Sequence, residues 1–296
     1  MAIQRKLASK TTLISTTALA VAAAIAISGS AHAAQPTVGL GTTSDYAVLA
    51  GSGISNTGPT TVSGSAGGAL GSSPTGTFTG DTLVTTTGAK FTAVNAQTTA
   101  AKADLVLAYD DAAGRVPVTS AITADLAGQN LTAGVYKSAS AMALNGVLTL
   151  NAQNNPDAVF IFQAGSTLIT GSGSSVVLEN GAQACNVFWQ VGSSATFGTT
   201  TDFTGHVLAL ESITANTSAT FHGQLLARNG AVTLDTNTIV NDLCETVLPT
   251  DTATPTTTDG GGLPNTDAPD LSVPLVVGLG LASLGSAVLI ARRRRS

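Results

Sequence analysis

A mainly β chain coiled into a β-solenoid is the architecture expected here, and three observations lead to it. The first is a repeat between Cys185 and Cys244. Thr196-Phe197-Gly198-Thr199 lies above Thr214-Ala215-Asn216-Thr217, which lies above Thr233-Leu234-Asp235-Thr236, at offsets of 18 and 19 residues. Phe203, Phe221 and Ile239 recur at a step of 18, as do Leu208, Leu226 and Cys244; Gly205 and Gly223 keep the same step, with Asn241 in the third place. A fixed short period with apolar, glycine and threonine positions in phase is the mark of stacked coils. The second observation is a longer spacing upstream. Val135-Tyr136-Lys137, Ile161-Phe162-Gln163 and Phe188-Trp189-Gln190 read as one strand repeated at offsets of 26 and 27 residues. The third is composition: 10% charged and 43% hydrophobic residues with 32 glycines suit close-stacked sheets with small residues on the turns. One coil is too thin to bury its own apolar side, so it needs a neighbour about 4.8 Å away.

The two ends give an address. Residues 1–33 read as a secretory signal peptide, with Arg5, Lys6 and Lys10, an apolar run from Ala18 to Ile27, and the cleavage pattern Ala31-His32-Ala33. Residues 271–291 carry no charge, are long enough to cross a bilayer, and are followed by a basic tail at 292–296 expected to stay in the cytoplasm. Just upstream stands Leu263-Pro264-Asn265-Thr266-Asp267. Motif, apolar span and basic tail together resemble the sortase-dependent cell-wall sorting signal of Gram-positive surface proteins. That resemblance implies sortase and peptidoglycan as partners, but Asp267 stands where the pattern has glycine. Without transpeptidation the span itself is the anchor, and the membrane the partner. Either way the chain is expected to be exported and held at the cell surface.

Between the ends, residues 34–270 hold 5 basic and 17 acidic side chains, a balance of −12. That excess argues against nucleic acid or an anionic membrane surface as the partner of this part. Residues 34–248 are the expected solenoid domain and 249–270, rich in Thr, Pro and Gly, a stalk.

Within the domain, Gly41 to Pro74 shows short apolar bursts broken by glycines and Pro59, read as the irregular first coils. Phe91, Val94, Ala101, Leu105, Ala108 and Ala112 then fall at steps of three, four or seven. This predicts a helix over 91–113 with Lys102, Asp104 and Asp110 on its outer side, lying flat along the solenoid. From Leu126 the coils resume. Phe160, Phe162, Phe188 and Trp189 are expected to fill the core.

The run from Leu40 through Asp45-Tyr46-Ala47-Val48-Leu49-Ala50 to Thr60 is followed by Gly134-Val135-Tyr136, Val159-Phe160-Ile161-Phe162-Gln163 and Asn186-Val187-Phe188-Trp189-Gln190. In that order these resemble the ice-binding-like (DUF3494) family of bacterial and microbial proteins, over residues 38–245. The resemblance implies a discontinuous right-handed β-solenoid, triangular in section, with one α-helix alongside, and ice as partner. The chain departs from the family at Ser65, where an acidic residue is common, and any insertion after Pro74 is small.

A surface that recognises ice must hold water in a regular array, so it needs rigid, evenly spaced hydroxyls and methyls and few charges. Threonine supplies both groups on a stem with restricted χ1. Thr196, Thr214 and Thr233 form one candidate ladder; Thr199, Thr217 and Thr236 form a second. Thr214-Ala215-Asn216-Thr217 also fits the family's T-A/G-x-T/N pattern, which brings Ala215 into the candidate site. Ser218, Thr220 and Thr238 are secondary candidates. Residues three apart on a strand point to opposite faces, so either a turn separates the two ladders or only one looks outward. Phe197 and Asp235 would interrupt a uniform surface, and the threonines could equally serve turns and interior stacking.

Two cysteines in an exported chain favour a Cys185–Cys244 disulfide, with two buried thiols as the alternative. His206 and His222 fall on different phases of the repeat, which argues against a shared metal site. Asp202, Glu211 and Asp235 are scattered, and no phosphate loop or nucleophile elbow appears. No catalysis, cofactor or metal is expected.

Overall fold

The structure is a computed structural model in which residues 35–122 and 125–245 are described. The predicted signal peptide, stalk, Leu263–Asp267 motif, anchor segment and basic tail lie outside the described residues. Among the described residues, no helix is long and apolar enough to cross a membrane.

Short strands dominate because each coil alternates a straight apolar run with a corner. A coil gives one strand to each of three faces, for instance Val187–Val191, Ala195–Phe197 and Asp202–Thr204. Among the described residues every strand pairing is parallel, and the faces hold 8, 7 and 8 strands. At one corner the coils touch through glycine. Gly223 has φ 148, and a Cβ there would sit 2.2 Å from the Gly205 carbonyl oxygen. Only a residue without a side chain lets the two backbones approach so closely, which explains the glycine phase read in the sequence.

The predicted register holds: Val135, Ile161 and Phe188 are cross-strand partners, as are Phe203, Phe221 and Ile239. The order of the coils differs from expectation. Leu208 pairs with Leu226, but the next partner is Leu49 rather than Cys244. The N-terminal strands Tyr46–Ala50, Gly53–Asn56 and Thr60–Ser63 stack on the last C-terminal coil, and Ala69–Ser72, Phe78–Thr79 and Val84–Thr86 close that end. The chain then crosses to the far end and winds back. Its vehicle is the helix Ala96–Gly114, whose 19 residues span about 28 Å, close to six coil steps of about 4.8 Å.

The helix starts later than its apolar stripe suggests because Asn95 caps it. Asn95 Oδ1 accepts from the Thr98 N–H at 2.8 Å, and Thr98 Oγ1 accepts from the Asn95 N–H at 3.1 Å. Phe91 and Val94 therefore precede the helix, and Val94 is exposed. Ala101, Leu105, Ala108 and Ala112 pack onto Leu49, Val135, Ile161, Phe188, Leu208 and Leu226 on the outer side of face 1. Lys102 is not on the solvent side as expected. It is buried, with Nζ 2.6 Å from both the Ala227 and Arg228 carbonyl oxygens, and burial pushes its pKa down to about 8. Gln163 Nε2 ties down the other end by donating to the carbonyls of Ala112, Ala113 and Arg115.

Inside, Tyr136, Phe162, Trp189 and Phe203 form a stack with centroids 5.4, 3.9 and 4.9 Å apart. Phe160, Phe162 and Trp189 fill the interior as expected, whereas Phe188 sits under the helix. Cys185 and Cys244 form a disulfide with Cα atoms 5.4 Å apart, which removes the alternative of two thiols.

Candidate functional site

The helix covers face 1, so the question falls on the other two. Face 2 consists, in spatial order, of Met142–Leu144, Leu168–Thr170, Ala195–Phe197, Ile213–Ala215, Ala231–Leu234, Gly53–Asn56 and Phe78–Thr79. None of these strands contains an ionisable residue. Face 1 contains Lys137 and His206, and face 3 contains Glu179, Asp202 and His222.

A single outward column runs down the middle of face 2. Thr196 pairs with Thr214, Thr214 with Thr233, Thr233 with Ser55, and Ser55 with Thr79. Each rung is about 4.8 Å from the next, as parallel strands require. Thr196, Thr214, Thr233 and Ser55 are partly exposed, and each stands between two buried neighbours on its own strand. This alternation sends the hydroxyl-bearing side chain outward and holds its backbone against the core. Ser55 Oγ lies 3.3 Å from Thr233 Oγ1. At the far end Ile169, 49% exposed, and Ala143 continue the column without a hydroxyl. Two residues upstream on the strands, Ser194 Oγ accepts the Ser212 N–H and Ser212 Oγ accepts the Ala231 N–H, each at 3.2 Å. These serines stiffen the edge of the face.

The first predicted ladder is thus an outward column, and the structure adds Ser55 and Thr79 to it. Sequence reading missed both because they sit at the opposite end of the chain from Thr233. The available signal was local: Ile54-Ser55 repeats the apolar–hydroxyl pair of Val232-Thr233 and Ile213-Thr214.

The second predicted ladder does not stay in line. A turn follows each strand, which resolves the problem of residues three apart. Thr200, Ser218 and Thr236 share left-handed φ values of 56, 62 and 56. Thr236 is therefore the turn equivalent of Ser218, not of Thr217, because the third coil is one residue tighter here. Thr217 Oγ1 instead donates to Asp235, as does Thr236 Oγ1 at 3.0 Å. Those bonds, Thr217's first, hold the Asp235 carboxyl below the usual carboxylate range. Thr199 is exposed and donates to Ser172 Oγ at 2.9 Å. Ala215 is only 1% exposed, so it cannot touch anything outside the protein. Phe197, expected to interrupt the surface, is fully buried. Thr220 and Thr238 belong to face 3.

The two histidines are apart in environment as well as phase. His206 is buried, and burial pushes its pKa down to about 4. His222 is exposed, with Nε2 3.4 Å from Asp202 Oδ1. Among the described residues, no three His, Cys, Asp or Glu side chains lie close enough to hold a metal ion. A cavity of about 510 Å³ opens beside the disulfide, lined by Val38, Leu40, Phe188, His206, Gln224 and Leu243 among others. None of its lining residues belongs to face 2.

Known proteins resemble the chain over this same region. A family model described as ice-binding-like matches residues 48–240. The ice-binding protein of Nostoc sp. (strain HG1) is 45% identical over 212 residues, covering 68% of this chain and 73% of that protein. The ice-binding protein of Colwellia sp. is 37% identical over 229 residues, covering 71% and 87%. Among solved structures, an ice-binding protein from an Antarctic biological consortium superposes with a TM-score of 0.68 at 44% identity, covering 71% of this chain and 93% of that one.

Proposed function

The chain belongs to the ice-binding-like family, and from that premise we propose that it binds ice through face 2, with Thr196, Thr214, Thr233, Ser55 and Thr79 as the central contacts. The observation that carries this reading is the in-register hydroxyl column on the one face whose strands lack ionisable residues. Ice offers a fixed lattice of water with no charge to pair. A surface that matches it must keep its hydroxyls in place without paying ordering entropy on contact, and β-branched side chains on core-packed strands meet that need. A charged group would hold its own hydration shell against the lattice.

Adsorbed in this way, the protein would restrain ice growth and recrystallisation, or hold the cell to ice. The sequence supports the second role through its ends. The signal peptide would export the chain, and residues 271–291 would keep it in the membrane. Leu263-Pro264-Asn265-Thr266-Asp267 would add peptidoglycan attachment if a sortase accepts Asp267.

Thermal hysteresis of the purified protein tests the activity. The wild type should depress the freezing point below the melting point, and Thr214→Tyr should lose most of that gap while melting like the wild type. Full activity in Thr214→Tyr would move the site off face 2. A surface adhesion or envelope module without ice affinity is the second reading, favoured by the carboxylate of Asp235 at the rim. Absence of hysteresis in the wild type would leave that reading standing.

A further inference from the structure

Asp235 looks like a flaw in the proposed surface, yet its geometry gives it a part in building it. The side chain sits at the exit edge of face 2, one residue after the strand Ala231–Leu234. Its two oxygens are divided between threonines: Oδ2 accepts from Thr217 Oγ1 of the preceding coil, and Oδ1 accepts from Thr236 Oγ1 at 3.0 Å. Thr57, on the following coil, turns its hydroxyl to the Leu234 carbonyl instead, at 3.4 Å. The Asp235 N–H is itself fixed by Asn237 Oδ1 at 2.7 Å. Asn237 in turn donates to the Asn216 and Ala219 carbonyls of the preceding coil, at 2.9 and 3.2 Å.

We propose that Asp235 is a positioning residue for the ice-facing surface: its carboxylate clamps the hydroxyls of threonines on two successive coils and so fixes the rim of face 2. This rests on the reading of face 2 as the ice-binding surface. The chemistry follows from the groups present. A free threonine on a turn has a hydroxyl that competes between water and local backbone, and its χ1 follows the hydroxyl. A hydroxyl donating to a carboxylate makes a charge-assisted bond, stronger than its neutral counterpart. With its proton committed to the carboxylate, each threonine keeps one rotamer and turns its methyl and both hydroxyl lone pairs away from the carboxylate. Part of the carboxylate's acceptor capacity is thereby taken up by protein donors rather than by water.

Two variants of the full chain separate this role from a spoiling charge and from a merely structural one. Asp235→Asn keeps an acceptor oxygen and adds a donor that the partner threonine oxygen can accept, whereas Asp235→Ala removes both. Thermal hysteresis, melting temperature and the χ1 couplings of Thr217 and Thr236 are read for each, beside wild type and Thr214→Tyr. Asp235→Ala should average the two threonine rotamers and lose hysteresis at an unchanged melting temperature, and Asp235→Asn should restore both. Equal or higher hysteresis in Asp235→Ala overturns the proposal, as does a loss with the rotamers still fixed or one that tracks a lowered melting temperature. If the wild type shows no hysteresis, the reading of face 2 falls and this one with it. If wild type and Thr214→Tyr differ as expected while Asp235→Ala behaves as wild type, only the clamp is wrong.

Discussion

His206 opens the strand His206–Ala209, with its ring packed inside the protein. Its phase separated it from His222, but nothing local told that it would be fully buried beside Phe188, ring centroids 5.2 Å apart. Burial lowers its pKa from 6.5 to about 4. The unfolded chain takes up the proton as pH falls through 6.5, and the folded one resists until about 4. Stability from this group is therefore complete above pH 6.5 and is lost on acidification between 6.5 and 4, by up to about 3 kcal/mol. Denaturant melts of the wild type should show that decline, and His206→Gln should flatten it. A wild type equally stable at pH 7 and pH 4.5 would contradict the burial. Thr236 and Ala215 teach a related lesson. Counting residues aligned the threonines correctly on paper, but a coil one residue tighter moved Thr236 into a turn. Ala215 fits a motif through its neighbours while pointing into the core.

The helix was the most legible element, and its errors are informative. Period-3.6 spacing located Ala101, Leu105, Ala108 and Ala112, which face 1 buries. The first turn was overestimated because an apolar stripe says nothing about the capping bond at Asn95 that sets the start. Lys102 was assigned to water because lysine usually is. Here two strand-end carbonyls from the coil below give its ammonium a place inside. Since face 1 and the helix share one apolar layer, Leu105→Ala should cost about 2–5 kcal/mol in denaturant unfolding. A loss below about 0.5 kcal/mol, typical of a surface site, would mean the helix does not hold the coils together.

For the molecule as a whole, the period announced stacked coils but could not announce their order. Coil-to-coil similarity is strongest where turns are short, between Cys185 and Cys244, and that region was read in register. The N-terminal coils are irregular in length, so no spacing linked Ser55 to Thr233 or Leu49 to Leu226. Those contacts depend on the helix carrying the chain from one end to the other, which is a property of the closed structure. Two of the five hydroxyl-bearing members of the proposed ice-facing column, Ser55 and Thr79, were therefore missed in the sequence. The consequence can be measured. Thr214 and Ser55 are far apart in the chain but belong to one column, whereas Thr61 pairs with Thr238 on face 3. Fluorescent protein bound to a single ice crystal should label discrete planes, with Thr214→Tyr and Ser55→Tyr each erasing the label and Thr61→Tyr keeping it. Labelling that survives both face 2 substitutions, or that disappears only with Thr61→Tyr, would show that the stacked hydroxyl column of face 2 is not what meets the ice.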